Sequence, residues 1–308
     1  MSIREITYSS REEWLELRKN YIGGSEAGAV LGLDEYNSPY TVWGEKTGRL
    51  PGFEGNITTR VGSFLEDLVA TLFCEETGKQ VRRKNRMLVN SKYPWACADV
   101  DRMVVGEDAL LECKTTNSFP VMKSIRTGSF PDRWYCQMMH YLAVTGKKKA
   151  YLAVLVASRD FYWFELERDE SEIEALMNSE QDFWWCVETD TAPDVDGSEA
   201  TAEALETIYA DGYGEGILMG RETLLFERSQ LKAQQKETKK RIDEIENIIK
   251  ADLGCAETGV CSGFKVTWKN QSRRSFQEAE FRKAHPEIDL TPFYKVSNSR
   301  VFKVKEAS

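Results

Sequence analysis

Asp101, Glu112 and Lys114 are the residues whose types and spacing most clearly predict chemistry in this sequence. Glu112 and Lys114 are two positions apart, and residues with that spacing in a β-strand project from the same face. Carboxylates bind divalent cations, and a neighbouring lysine can orient or help deprotonate a water molecule. Two acids and a lysine that converge are therefore typical of metal-dependent phosphodiester cleavage. Taken alone, these three residues are also compatible with an alternative, a salt-bridged cluster on a surface hairpin.

The flanking residues predict a β-hairpin that brings these side chains together. The predicted strands are Trp95 to Val105 and Ala109 to Thr115, with Gly106-Glu107-Asp108 as the turn. In this register Asp101 lies nearly opposite Glu112. Asp99 is a competing acid, and a longer turn would weaken the preference for Asp101. Burial of such charges among apolar strand residues is costly unless they pair or bind a cation.

Composition limits the class of protein. The chain has 308 residues, 41% of them hydrophobic, and its longest apolar run, Ala150 to Ala157, is too short to span a bilayer. The charged N-terminal region contains no apolar signal-peptide core, so we expect a soluble, cytoplasmic protein without a membrane partner. Seven cysteines without a CxxC pair and two histidines argue against a structural zinc site or an iron–sulfur cluster.

The charge distribution excludes one class of nucleic-acid-binding protein. A net charge of −9 argues against a protein that coats nucleic acid, but not against a nuclease, whose metal-binding carboxylates are themselves acidic. Two local basic strips stand out, and each alone is more typical of a solvated surface than of a DNA contact. They are Lys79, Arg82, Arg83, Lys84 and Arg86, and the run Lys147-Lys148-Lys149.

Other polar residues lie on predicted helices. Glu66 flanks a helix with Gly62 one turn below it, where the missing side chain allows close approach. Gln137 lies on the apolar face of a later helix that includes Tyr141, and a buried amide needs a partner, with neighbouring backbone as the structural alternative. Ser25 opens a helix whose free N–H groups favour an anion. The apolar stripe of the Glu66 helix is Val61, Phe64, Leu65, Leu68, Val69, Leu72 and Phe73.

Four segments are predicted along the chain. They are a core over 1–190, an acidic linker over 191–216, a long helix or helical hairpin over 217–253, and a small basic module with strands over 254–308. Within the long helix, Ile217, Leu224, Leu231 and Ile245 keep a heptad phase, and Ile242 and Ile249 add a second line. Gln235 and Thr238 interrupt this seam, so the pattern leaves a coiled coil open. The predicted strands of the module contain Phe264, Val266 and Trp268, and later Phe302 and Val304.

Five separate stretches resemble the YqaJ-like viral recombinases, the family of phage lambda exonuclease within the PD-(D/E)xK nuclease superfamily. The likeness covers roughly residues 18–156. The stretches are Arg18 with Ile22-Gly23-Gly24-Ser25, Gly62-Ser63-Phe64-Leu65-Glu66, Ala98-Asp99-Val100-Asp101, Leu111-Glu112-Cys113-Lys114 and Gln137-Met138-Met139-His140-Tyr141. The family's usual proline–aspartate–glycine is replaced here by Val100-Asp101-Arg102.

The resemblance implies a fold and a role for each of these residues. The fold would be α+β, with an α/β/α restriction-endonuclease-like core in which helices flank a central mixed β-sheet, followed by the long helical segment and a small α+β tail. Glu66, Asp101, Glu112 and the backbone carbonyl of Cys113 would bind Mg²⁺, for which Mn²⁺ would substitute, and Lys114 would be the catalytic lysine. Gln137 and Tyr141 would lie beside the active site, and Arg18 and Ser25 would bind a terminal 5′-phosphate of DNA.

The implied activity is 5′→3′ exonuclease action on double-stranded DNA ends, with hydrolysis by a metal-activated water. It would generate single strands for recombination in a bacterial cell, from a phage or prophage gene. A homo-oligomer and a single-strand annealing protein are the implied partners. Two alternatives remain: a structure-specific or nicking endonuclease on the same fold, and a non-cleaving scaffold that binds DNA ends or the annealing protein.

Overall fold

The computed structural model describes residues 2–212, 214, 216–295 and 300–305. They divide into two compact units, Met1–Gly212 with Ser299–Ser308, and Tyr213–Asn298. No helix in the described ranges is long and apolar enough to cross a membrane.

The helices are α1 (Arg11–Arg18), α2 (Gly24–Val30), α3 (Pro39–Lys46), α4 (Ile57–Thr77), α5 (Phe119–Arg126), α6 (Asp132–Thr145), α7 (Glu170–Glu188), α8 (Glu199–Ile208), α9 (Glu222–Leu253) and α10 (Glu278–Ala284), with a 3₁₀ turn at Thr291–Phe293.

Two mixed sheets form the centre of the first unit. One has four strands in the order β1-β4-β5-β2, and the other has five in the order β3-β6-β7-β8-β9. In the larger sheet β7 and β8 are parallel, and the other neighbours are antiparallel. The strands are β1 (Ile3–Ile6), β2 (Ile22–Gly23), β3 (Val81–Arg83), β4 (Met87–Asn90), β5 (Tyr93–Ala98), β6 (Arg102–Val104), β7 (Ala109–Thr116), β8 (Lys149–Val156) and β9 (Asp160–Glu167), and the second unit adds the hairpin β10 (Thr258–Cys261) and β11 (Phe264–Thr267).

Alternation along β7 explains why helices cover both faces of the larger sheet. Leu110 packs into a core with residues of α6 such as Met138, whereas Leu111 packs into a second core with Phe73 of α4. Successive strand residues point to opposite faces, so a strand with apolar residues at both parities needs a helix on each side. The predicted α+β fold, a mixed sheet between helices, is confirmed.

The strand predicted over Trp95–Val105 is wrong as one element. The chain leaves β5 at Ala98, passes through three residues without strand pairing, and enters β6 of the other sheet at Arg102. Side-chain hydrogen bonds hold the break: Asp99 accepts one from Trp14 Nε1 at 3.0 Å, and Asp101 accepts one from the Cys113 amide at 2.8 Å. The alternation of apolar residues continues from β5 into β6, so periodicity alone does not reveal that the chain changes sheet there.

The apolar stripe of α4 is buried only in its second half. Val69 and Phe73 are fully buried, but Val61 is 47% exposed and Phe64 is 86% exposed. The predicted helix is present, but its apolar spacing did not indicate that the first turns are exposed. Periodicity shows which face of a helix is apolar, but not how far the neighbouring sheet extends beneath it.

The segment predicted as the acidic linker, 191–216, contains a packed helix. Ala200 and Ala204 of α8 are buried, and Ala204 joins a cluster with Trp43 of α3 and Phe183 of α7. The prediction missed α8 because its fully buried positions include alanines, which carry little hydrophobic signal, although Leu205 and Ile208 also pack on this cluster. In the second unit α9 is one uninterrupted helix rather than a hairpin. Residues 300–305, which include Phe302 and belong to the first unit, form no strand.

A fully buried ion pair links α6, α7 and β5. His140 Nδ1 lies 2.7 Å from Glu180 Oε1, and His140 Nε2 lies 2.8 Å from the carbonyl oxygen of Cys97. Burial alone lowers the pKa of His140, but the Glu180 carboxylate and the Cys97 carbonyl outweigh it and raise that pKa above its usual value. The pair joins three elements of the first unit through side chains that are fully buried.

Replacing His140 tests this pair. We expect His140→Leu to lower the free energy of unfolding by about 3 kcal/mol, because Glu180 would remain buried without a partner. His140→Leu with Glu180→Leu should recover most of the loss. Because the folded-state pKa is raised, the stabilisation is complete below about pH 6.5 and is lost as the pH rises through the folded pKa. Urea unfolding at several pH values measures this; equal losses in the single and double variants would contradict it.

Candidate active site

A hydrogen-bonded network connects the end of the β6–β7 pair to helix α6. Arg102 pairs with Leu111, so Asp101 comes one step beyond the ladder, beside Glu112. Glu112 and Lys114 share the face of β7 that packs against α6, and their charged groups lie 2.8 Å apart. The side chain of Glu112 is 5% exposed and that of Lys114 is 22% exposed. The lysine ammonium therefore reaches the surface of a site whose carboxylate is buried.

Gln137 hydrogen-bonds to three side chains at this site. Its Oε1 accepts a hydrogen bond from Lys114 Nζ at 2.8 Å, and its Nε2 donates to Glu112 Oε1 at 2.8 Å and to the Tyr141 hydroxyl at 3.1 Å. The buried amide thus has side-chain partners rather than the neighbouring backbone. Gln137 and Tyr141 are one helical turn apart, which places both on the face of α6 that meets β7.

Asp101 and Glu112 form a buried acidic pair. Burial raises the pKa of Asp101 well above its usual range, and the neighbouring carboxylates of Glu112 and then Glu66 raise it further. Burial raises the pKa of the Tyr141 hydroxyl in the same way, with Glu112 and Asp101 as the next causes. The repulsion between the carboxylates is the part of this effect that a bound cation would relieve.

The donor atoms at this pair fit a divalent cation. Glu112 Oε2 is buried, and among the described atoms no hydrogen-bond partner is found for it. Cys113 donates its amide to Asp101, and an extended residue directs its N–H and C=O to the same side, so its carbonyl points to the edge of β7 on which Asp101 lies. Two carboxylates and a carbonyl are the oxygen ligands that Mg²⁺ accepts, with water completing its coordination.

Glu66 is expected to bind the metal ion together with Asp101 and Glu112, but in the structure its side chain has a different partner. In the described chain no three acidic, histidine or cysteine side chains lie close enough together to hold a metal ion. Instead, Glu66 forms an ion pair with Arg102, whose guanidinium also binds Asp67 at 2.6 Å and the Asp101 carbonyl at 2.6 Å. Arg102 is 4% exposed. Sequence reasoning noted this arginine as a departure from the family pattern but missed its partners.

Arg18 and Ser25 lie together in a second polar cluster. Arg18 Nη2 donates to Ser25 Oγ at 3.0 Å and lies 3.3 Å from Glu26 Oε1, and its guanidinium is 4.9 Å from the centre of the Trp14 ring. Gly23 makes room for it, since a Cβ at this position would lie 2.8 Å from Arg18 Nη2. Glu26 also binds Lys46 at 2.8 Å, so this glutamate has two cationic partners, Arg18 and Lys46.

The two candidate aspartates belong to different clusters. Asp99 accepts from Trp14, which stacks on Arg18, and burial raises the pKa of Asp99. Asp101 instead lies beside Glu112 and Cys113. This placement favours Asp101 over Asp99 as the acid next to Glu112.

Sequence comparison places the chain in a family. The model of the YqaJ-like viral recombinase domain matches residues 13–148, a span that includes both clusters. The uncharacterized protein YqaJ of Bacillus subtilis (strain 168) is 35% identical over 306 residues, which are 97% of this chain and 95% of that protein. The chain belongs to the YqaJ-like viral recombinase family.

Solved structures show the same core fold. The alkaline exonuclease LHK-Exo from Laribacter hongkongensis aligns with a TM-score of 0.52 and 22% identity, over 58% of this chain and 94% of that one. Its complex with dAMP gives the same values. At this level of identity the likeness concerns the fold, and it spans a little over half of this chain.

Two glycines near the site should respond oppositely to alanine. A Cβ on Gly24 would lie 2.4 Å from the Tyr141 ring, whereas one on Gly62 would lie 3.6 Å from the Thr115 hydroxyl, an ordinary contact. We expect Gly24→Ala to lower the free energy of unfolding by about 1–3 kcal/mol through overpacking. Gly62→Ala, within α4, should be neutral or stabilise by up to about 1 kcal/mol. Thermal unfolding of both variants measures this; a harmless Gly24→Ala would contradict the close packing of α2 on Tyr141.

Proposed function

We propose that this chain is a Mg²⁺-dependent deoxyribonuclease that degrades double-stranded DNA from its ends in the 5′→3′ direction. The observation that carries this proposal is the buried Asp101–Glu112 pair with Lys114 at its edge. Burying two acids against each other is unfavourable for stability, and a cationic ligand would offset that cost. The single strands produced would serve recombination of the phage type, as membership in a viral recombinase family suggests.

Asp101, Glu112 and the Cys113 carbonyl would hold the cation, which we take to be Mg²⁺ with Mn²⁺ as a substitute. Glu66, placed beside them by Arg102, adds negative charge and is the candidate for a further ligand. A divalent cation bound here would supply Lewis acidity and stabilise charge on the phosphate.

Lys114 is the proposed catalytic lysine. An ammonium group has three N–H donors. Two of those on Lys114 are directed at Glu112 and Gln137, each at 2.8 Å, and we assign the third to the attacking water. Gln137 would hold the side chains of Lys114 and Glu112 in their relative positions, and Tyr141 would hold the orientation of the Gln137 amide.

Arg18 and Ser25 are the proposed ligands of the terminal 5′-phosphate. A guanidinium that already donates to a serine hydroxyl presents two donor groups to one anion. The Trp14 ring below Arg18 restricts its orientation. We also propose that an annealing protein receives the single strand and that the protein acts in the bacterial cytoplasm.

Alanine at Lys114 tests the chemistry. We expect Lys114→Ala to lower the cleavage rate by roughly a thousandfold while binding to duplex DNA persists, because the lysine acts on the water rather than on the duplex. Lys148→Ala is the matched control, since this exposed lysine precedes β8 at the opposite end of the sheet. Cleavage rates and fluorescence anisotropy with labelled duplex measure both properties. A fully active Lys114→Ala would contradict the assignment.

The 5′ end of the substrate tests direction and end recognition. Linear duplex with a 5′-phosphate should be degraded faster than the same duplex with a 5′-hydroxyl, and Arg18→Gln should abolish the difference, because the guanidinium would no longer bind the phosphate. EDTA should stop degradation, and closed circular DNA should remain intact. Cleavage of the circle would instead indicate the endonuclease alternative. Failure to degrade any DNA in Mg²⁺ would favour the scaffold alternative.

A further inference from the structure

An exposed stretch of the second unit, residues 258–277, carries cationic and aromatic side chains, and we call it the basic arm. It comprises the hairpin of β10 and β11 and the chain that leads to α10. It contains four cationic residues and no acid, although the whole chain has a net charge of −9. The four are Lys265, Lys269, Arg273 and Arg274, and all of them are exposed. The arm is therefore a local basic patch on an acidic protein.

The cations of the basic arm have no acidic partner in the part of the chain that the structure describes. The ion pairs described within the second unit lie instead in α9, in α10 and at His285. In α10, for example, Lys283 pairs with Glu280 at 3.0 Å. The positive charge of the arm is thus not neutralised by the protein's own carboxylates, and such a charge attracts an anionic polymer.

Two aromatic rings are exposed on one face of the hairpin. Phe264 is 73% exposed and Trp268 is 50% exposed. They lie on either side of Val266, and residues two apart in a strand share a face. The end of α9 touches the middle of this face, since Gly259 pairs with Val266 and a Cβ on Gly259 would lie 2.8 Å from Leu253. Helix α9 therefore leaves both rings largely open.

Exposed rings beside unpaired cations fit a single strand of nucleic acid. Aromatic side chains stack on unpaired bases, and a positively charged surface follows the phosphates. The Trp268 N–H donates to the Glu257 carbonyl at 3.0 Å, so Trp268 continues the ladder of β11. Phe264 and Trp268 are then about 13 Å apart, which lets each ring stack on a different base. The bases of a duplex are already stacked on one another, so a duplex would not use these rings.

The phosphates of such a strand would lie along the edge of β11. In the described part of the chain β11 pairs with β10 alone, so its other edge is open. Lys265 projects from the face opposite Phe264 and Trp268, and Lys269 follows the strand. A lysine has a flexible stem of four carbons, which allows its ammonium to reach around this edge.

We propose that the basic arm binds single-stranded DNA, with bases stacked on Phe264 and Trp268 and phosphates held by the four cations. This site gives the second unit a binding function of its own, apart from the proposed nuclease site. Binding of a single strand uses no residue of the first unit and does not require the nuclease. The choice of DNA over RNA rests on the proposed function, because the nuclease would produce single-stranded DNA.

A closed single-stranded circle of oligothymidylate tests the proposal, because it has no 5′ end for the first unit to bind. Anisotropy of the labelled circle is measured with the full chain in EDTA, which separates binding from cleavage. We expect Trp268→Ala to raise the dissociation constant about tenfold through lost stacking. Phe226→Ala removes an exposed ring from α9 and, as the matched control, should bind like the wild type. A wild type that does not bind the circle would overturn the proposal and leave the arm as a surface for an acidic protein.

Trp268→Phe separates stacking from folding of the hairpin. It keeps an aromatic ring, so its affinity should stay close to that of the wild type. The quenching of tryptophan fluorescence by the bound bases should be smaller, because the stacked indole is gone. Quenching equal to that of the wild type would contradict stacking at this position.

Salt dependence tests the phosphate contacts. Lys265→Gln with Lys269→Gln should make the slope of log K against log salt concentration less steep by about 1.4, since each phosphate contact to a single strand contributes about 0.7. Lys283→Gln, at a lysine already paired with Glu280, is the control and should leave the slope unchanged. An unchanged slope in the double variant would overturn the assignment of phosphates to the arm. Linear duplex that competes as well as the single strand would overturn the preference for single strands.

Discussion

The burial of Asp101 and Glu112 side by side is the constraint on which the rest of the first unit depends. Two carboxylates in a region poor in water repel each other, and only groups that donate hydrogen bonds or carry positive charge can offset that cost. Lys114 and Gln137 supply such donors to Glu112, and the Cys113 amide supplies one to Asp101. Helix α6 must therefore lie against β7 with Gln137 inward. One oxygen, Glu112 Oε2, is still left for a cation.

Local sequence was sufficient to predict much of the architecture, because strongly periodic segments fold where their apolar faces find a partner. The apolar residues around Glu112 predicted β7, and the apolar face that carries Gln137 and Tyr141 predicted α6. The spacing between Asp101 and Glu112 predicted that the two side chains lie close together. This prediction does not require a continuous strand before Asp101, because the turn between β6 and β7 fixes the register of the pair.

Features set by contacts between distant segments could not be predicted in the same way. The break between β5 and β6 depends on Trp14, far away in sequence, which binds Asp99. The pairing of Glu66 with Arg102 required the relative position of α4 and β6, which no local pattern encodes. Likewise the position of α8 against α3 depends on a packing partner far away in sequence, and the exposed start of α4 has the same apolar spacing as its buried end.

The most direct test of a cation site at the acidic pair is the melting temperature of the wild type and of Glu112→Gln, each in EDTA and in increasing Mg²⁺ or Mn²⁺. The replacement keeps an oxygen for Lys114 and Gln137 but removes the negative charge. The wild type should be the less stable protein in EDTA and should gain stability as the cation binds the folded state, whereas Glu112→Gln should gain little. Equal stabilisation of both proteins, or none of the wild type, would contradict a cation site at Asp101 and Glu112.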